Sequence, residues 1–242
     1  MKDIPIRDNG EPLVDFVKAG LTFAPRHPVF PFPRVHLARQ GLVDRLLEAQ
    51  RRLPDGWKMV IVEAFRTIQV QRMQHVANQA RFAMLFPYLS PEERQALIED
   101  FSAPPDVAEV PPPHSTGGAV DIHLEDAFGH EIDIISPFSP EQVEAAAWDA
   151  PVSDAARRNR EMLRAAMETG GVTNYPGEYW HWSYGDQGWA HRGGHPHALY
   201  NRLEHTVREA EALQGEPANR EPPLRAWPVE LPEEELLEGA GI

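Results

Sequence analysis

Cysteine is absent from all 242 residues, which excludes disulfides and thiolate metal ligands and leaves His, Asp and Glu to hold any metal. Positive charge is scarce: 23 Lys and Arg stand against 37 Asp and Glu, a formal net charge of −14. That balance argues against nucleic acid or an anionic membrane as a partner. No run of about 18 apolar residues occurs, so no membrane span is expected. The opening MKDIPIRDNGEPLVDF has no apolar signal core and no cleavage pattern, which points to a cytoplasmic protein. What is present, 42% hydrophobic residues over this length, suffices for one large core or two small ones.

Residues 1–36 carry many breakers and little periodicity, and read as an irregular arm held to the core by Phe16, Phe23, Phe30 and Phe32. Leu42, Val43, Leu46, Leu47 and Leu53 then recur mostly at three and four, a helix stopped by Pro54-Asp55-Gly56. The β-branched run Lys58 to Val62 reads as a buried strand. Residues 68–86 are helical in composition, with Met73, Val76, Ala80 and Phe82 facing inward. Ser90-Pro91-Glu92-Glu93 opens another helix with a capping box and Pro at its first position. Five prolines from Ser102 to Pro113 make that segment a loop or an extended approach to the site.

The alternation in AVDIHL puts Val120, Ile122 and Leu124 on one strand face and Ala119, Asp121 and His123 on the other. Ala127 to His130 reads as a turn, and Glu131 to Ile135 as the returning strand of a hairpin. Ser139-Pro140-Glu141 caps a short helix to about Trp148. A longer helix begins at Ser153-Asp154, packs through Ala156, Met162, Leu163, Ala166 and Met167, and ends at Gly170-Gly171. Tyr179 to Tyr184 reads as an aromatic strand. His191, His195 and His197 have ligand chemistry too, but they fall in a Gly- and Pro-rich stretch with no neighbouring carboxylate and are read as an exposed loop. From residue 214 the chain holds seven Glu, two Arg and five Pro, a tail that is mobile or draped over the surface.

Two stretches carry chemistry. HSTGGAVDIHL places His114 and Asp121 around a Gly-Gly turn, and GEYWHW places Glu178 three residues before His181. A catalytic zinc site uses three N/O ligands, with a carboxylate nearby to take a proton from water. His114, Asp121 and His181 can be the ligands and Glu178 the base. Glu178 and His181 would face opposite ways on an ideal strand, so Glu178 must lie in the turn set by Pro176-Gly177. Eleven His are present, so by spacing alone a metal site and ordinary packed or loop histidines stand level. Arg66, where the Lys58–Val62 strand emerges, is open to two readings: an electrophile in a cleft, or the commoner salt bridge.

HSTGGAVD resembles the His-x-x-Gly-x-Ala-x-Asp signature of the zinc D-alanyl-D-alanine dipeptidases, the VanX-like branch of the M15 peptidases. GEYWHW resembles that family's Glu-Trp-Trp-His strand, with Tyr179 in place of the first Trp. NREMLRAAMETGGVTNYP, SYGDQGWA and EAFRT are similar as well, so the likeness runs over roughly residues 10–205. The resemblance implies one zinc per chain on His114, Asp121 and His181, Glu178 as general base and acid, and Arg66 at the transition-state oxyanion. Ser115 and Ser139 are the candidate substrate contacts. There are two departures from the family. Pro112 and Pro113 replace a serine that commonly precedes the first His, and Ser139 stands where an Asp is expected to hold the substrate's ammonium.

The expectation is an α+β fold, a small antiparallel sheet carrying the zinc site with helices packed around it. Residues 1–213 form a single peptidase domain with the arm 1–36, and 214–242 an acidic, Pro-rich tail. The implied activity is a zinc-dependent dipeptidase hydrolysing D-Ala-D-Ala or a related D,D-dipeptide, with a small peptide as substrate. The alternatives are an M15-type D,D-carboxypeptidase or broader peptidase on peptidoglycan fragments, and a non-catalytic zinc-binding module of the same fold.

Overall fold

The structure is a computed structural model that describes residues 2–107, 109–139 and 142–225. Its order is β1 (Leu13–Asp15), β2 (Thr22–Phe23), β3 (Leu37–Arg39), α1 (Gln40–Gln50), β4 (Lys58–Glu63), α2 (Ile68–Leu85) and α3 (Pro91–Phe101). There follow β5 (Ala119–Glu125), α4 (Asp154–Thr169), β6 (Thr173–Asn174), β7 (His181–Ser183), α5 (Gln187–Gly193) and α6 (Val207–Gln214). Among the described residues no helix is long and apolar enough to cross a membrane.

The α+β class stands, but the sheet is mixed rather than purely antiparallel. Its order is β2-β4-β5-β7-β6, and β2 runs parallel to β4 while the other pairs are antiparallel. The parallel edge comes from the arm: Phe16 and Leu21 are buried in the main core, and Ala24 N–H donates to Ile61 O. Two residues are too few to show a strand period in sequence. The remaining arm anchors hold as expected, with Phe30 and Phe32 buried against Val70, Met73 and Ala77 of α2. β1 and β3 form a separate antiparallel ribbon.

The core sits between the sheet and the helices α1 and α4. Leu42, Val43, Leu46 and Ala49 of α1 meet Leu163, Ala166 and Met167 of α4, with Val120, Ile122 and Leu124 of β5 beneath them. On β5 the alternation therefore does its expected work, burying one face and turning Asp121 to the other. Val76 and Met162, expected inside, are exposed, because each lies on the solvent side of its helix.

Three expected elements are shorter or absent. Beyond the turn at 127–130 the hairpin return is a single bridge, Glu125 to Glu131. Asp133 Oδ1 accepts from the Ile135 and Ser136 N–H groups, which takes those donors out of any strand ladder. The helix expected from Ser139 is a 3-10 turn at Val143–Ala145, and Pro140 and Glu141 lie outside the described residues. Here the fully buried Arg160 takes the carbonyls of Ala145, Ala147 and Trp148 that a helix would otherwise need. Regular pairing in the aromatic stretch is confined to His181–Ser183, since Tyr179 and Trp180 belong to the preceding turn. The 191–197 histidines are not all in a loop: His191 lies in the last turn of α5, and His195 stacks on Trp189 with centroids 3.8 Å apart.

Candidate metal centre

Four backbone features bring the site together. First, β5 and β7 pair so that Asp121 lies directly opposite His181, which places the two side chains side by side on one sheet face. Second, the 3-10 turn Pro113–Thr116 carries His114 and is closed by Gly117 at φ 73°, a conformation that favours glycine. Third, Gly118 follows where a Cβ would lie 2.5 Å from Tyr184 O, so only glycine lets the turn dock on β7. Fourth, β4 has an irregular register between Ile61 and Glu63, which sets Glu63 opposite Asp121 and ends the strand beside His114. Arg66 N–H donates to His114 O at 3.2 Å, tying the two segments.

Within this frame His114 Nε2, His181 Nδ1 and Asp121 Oδ1 converge, at 3.2 Å for the two nitrogens and 3.0 and 3.3 Å from each to the oxygen. Tetrahedral coordination at bond lengths near 2.0–2.1 Å requires ligand atoms about 3.3 Å apart, and the triangle fits it. The donor chemistry agrees. His114 Nδ1 lies 2.8 Å from Ala64 O, and a carbonyl only accepts, so Nδ1 carries the hydrogen and Nε2 presents a lone pair to the centre. Two imidazoles and a carboxylate facing one another so closely suit a shared divalent cation of the zinc type. Among the described residues this is the group of His and acids arranged to hold a metal.

Glu178 lies where the geometry demanded. Its N–H donates to Tyr175 O and its carbonyl accepts from His181 N–H, so it occupies the turn rather than the strand. Asn174 Nδ2 braces the same carbonyl at 2.9 Å. The carboxylate Oε2 is 3.8 Å from His181 Nδ1. Burial pushes the Glu178 carboxyl well above the usual range, and the charge of Asp121 adds to that while Arg66 opposes it. Burial would raise Asp121 too, but His114 and His181 hold it well below its ordinary value. The two neighbouring carboxyls are thus driven in opposite directions, Asp121 down and Glu178 up.

Arg66 forms the salt bridge of the second earlier reading and lines a cavity wall. It makes a paired contact with Glu63, Nε to Oε1 at 2.7 Å and Nη2 to Oε2 at 2.5 Å, and Nη1 donates to Gln71 Oε1 at 2.7 Å. Three of the guanidinium's five donors are so engaged, and two remain. Arg66, His114, Asp121, Glu178 and His181 all line one cavity of about 840 Å³. Burial alone would raise Glu63; the Arg66 guanidinium overrides it and holds that carboxyl at about 2. Glu63 and Gln71 were not singled out from sequence. An acid three residues before an Arg at a strand end is the signal that was available for the first, and a helical Gln offers none.

Ser115 and Ser139 are not brought to this place. Ser115 is fully buried with Oγ donating to Pro112 O at 2.8 Å, and neither serine is among the residues lining the cavity. His191, His195 and His197 stay outside the metal-binding group.

Three N/O ligands on a cavity wall mark a catalytic rather than a closed structural metal site, and the adjacent carboxylate makes the class a metallohydrolase. The family model for Peptidase M15, D-Ala-D-Ala dipeptidase, matches residues 33–201. A D-alanyl-D-alanine dipeptidase of Synechocystis sp. is 32% identical over 238 residues, covering 83% of this chain and 95% of that one. One from Escherichia coli is 30% identical over 101 residues, covering 40% and 52%. The chain belongs to the M15 metallopeptidase family. A solved structure of VanYB in complex with D-alanine-D-alanine overlaps with 18% identity and a TM-score of 0.40, over 65% of this chain and 78% of that one.

Proposed function

We propose that the chain is a zinc-dependent dipeptidase that hydrolyses D-Ala-D-Ala to free D-alanine, with one zinc held by His114, Asp121 and His181. The observation that carries this reading is the ligand triangle of 3.0–3.3 Å with the raised carboxyl of Glu178 beside it, in a chain of this family. Zinc, when bound, supplies an acidified water and a polarised carbonyl at neutral pH. Glu178 takes the proton from the attacking water at its carboxylate and returns it to the departing amine nitrogen. Arg66, held by Glu63 and Gln71, directs its two remaining donors at the oxygen that gains charge. Ala64 O keeps His114 in the tautomer that presents Nε2.

The direct test is D-alanine release from D-Ala-D-Ala by protein of measured zinc content, with L-Ala-L-Ala and an N-acylated D-Ala-D-Ala alongside. Release from the free D,D-dipeptide with one zinc per chain is expected. Cleavage of the acylated peptide alone would make the protein a carboxypeptidase instead. Inactivity on all three with zinc bound would sink the peptidase assignment in favour of a non-catalytic module.

A further inference from the structure

The floor of the catalytic cavity is one sheet face, with Val60 and Val62 of β4 beside Asp121 and His123 of β5. Part of its wall comes from far along the chain, from the segment that follows α6. That segment starts firmly held. Ala218 is buried in a cluster with Val35, Leu37 and Phe65, and Asn219 exchanges backbone hydrogen bonds with Arg34. Beyond Asn219 the character changes. Arg220, Glu221 and Pro222 are exposed, and so is Leu224, at 62%. Leu224 N–H nevertheless donates to His27 O at 2.9 Å, and Leu224 and Arg225 both line the cavity.

The direction of this segment follows from the sheet order. His27 comes just after β2, and Tyr179 just before β7, with β4 and β5 between those strands. Both residues line the cavity. Burial raises the Tyr179 phenol above its ordinary range, while the charges of Arg160 and Arg225 oppose it. Arg225 is therefore near enough for its charge to reach the turn that carries Glu178. From the bond at His27 to Arg225, the chain heads over β4 and β5, across the strand that holds Asp121. Its hold there is light. Pro222 and Pro223 have no N–H to give, and the backbone bond of this stretch to the arm is that of Leu224. A segment anchored at one end, exposed along its length and latched by one bond opens at small cost.

We infer that residues 220–225 form a gate over the mouth of the catalytic cavity, hinged beside Asn219 and latched at His27, which lifts to admit the substrate and closes over it. Such closure slows both entry and escape and keeps bulk water from the centre. The inference rests on the peptidase reading above for the identity of the substrate.

The test uses the full chain, zinc-loaded and carrying Glu178→Gln to suppress turnover. Stopped-flow tryptophan fluorescence follows D-Ala-D-Ala binding and release, since Trp180 is in the cavity wall. Leu224→Pro removes the latching N–H and leaves the rest of the chain in place. It should raise the association and dissociation rates together by about fivefold, the worth of one net hydrogen bond. Truncation after Glu221 keeps Gln214, Ala218 and Asn219 at their partners and should raise both rates at least as much. Rates unchanged or slowed in both variants overturn the gate. A second probe does not depend on the peptide. Pyridine-2,6-dicarboxylate must reach the metal through the same mouth, so both variants should speed zinc extraction in proportion to chelator concentration. If the parent chain binds no D-Ala-D-Ala, the dipeptidase reading falls and the extraction rates decide the gate: faster in both variants upholds it, unchanged overturns it.

Discussion

Arg66 and Glu63 are a buried ion pair whose members serve different ends, one facing the cavity and the other holding it there. Removing the cation alone leaves Glu63 charged and uncompensated. Arg66→Met is therefore expected to cost about 3–5 kcal/mol in denaturant unfolding, besides its effect on turnover. Glu178 is different, since the three ligand atoms do not need it. Glu178→Gln should retain stoichiometric metal by elemental analysis and lose about 10²–10⁴-fold in kcat; near-normal turnover would refute its role as base. Two further groups set the acid response. Burial lowers His27 from 6.5 to about 4 against the pull of Glu63, so the folded chain binds fewer protons there than the unfolded chain. Its neutral form favours folding above pH 6.5, and that contribution is lost as pH falls toward 4. Glu63, held at about 2 instead of 4.5, contributes fully above 4.5 and loses its part below that, toward 2. His27 Nδ1 accepts from the Val29 and Phe30 N–H groups, a bond that His27→Asn can imitate. Denaturant midpoints of that variant should flatten between pH 6.5 and 4 relative to the parent, and an unchanged slope would exclude His27 as the source.

At the scale of elements, the site depends on how strands end. β5 and β7 supply facing ligands by register, β4 stops at an irregularity beside them, and the His114 turn closes against β7 through Gly118. A methyl at Gly118 would meet a backbone oxygen, which cannot move aside as a flexible side chain can. Gly118→Ala should destabilise by about 1–3 kcal/mol and, by displacing His114 from Asp121, weaken metal retention on dialysis. Normal retention with normal stability would show that the turn has slack the packing does not reveal. α2 illustrates the opposite case, a helix whose cavity-facing side is polar. Its inward residues could not be chosen by hydrophobic period, which is why Val76 was placed inside while Gln71, Gln74 and Asn78 passed unnoticed.

Across the whole molecule, the arm and the segment after α6 are joined. Gln214 is fully buried and accepts from His36 N–H at 3.0 Å; Arg34 and Asn219 exchange backbone hydrogen bonds at 2.9 and 2.7 Å. Leu224 N–H donates to His27 O, and Leu224 and Arg225 line the cavity. Truncation after Leu213 therefore leaves the buried N–H groups of Arg34 and His36 unpaired, at about 1–3 kcal/mol each. It should lower the thermal midpoint and change KM, whereas an unaltered midpoint would show those bonds to be replaceable by water. The cluster of His114, Asp121 and His181, with Glu178 beside it, was legible in the chain because a metal site demands particular residue types, and two short stretches present them in a recognisable order. The alternation around Asp121 likewise told which face it would take, since strand period alone decides that. What only the tertiary structure decided is who holds Arg66, that the arm adds a parallel edge strand, and that α2 lines the cavity with amides. Those outcomes depend on contacts between segments far apart in sequence, and a two-residue strand or a buried glutamine leaves no periodic trace of the partner it will meet.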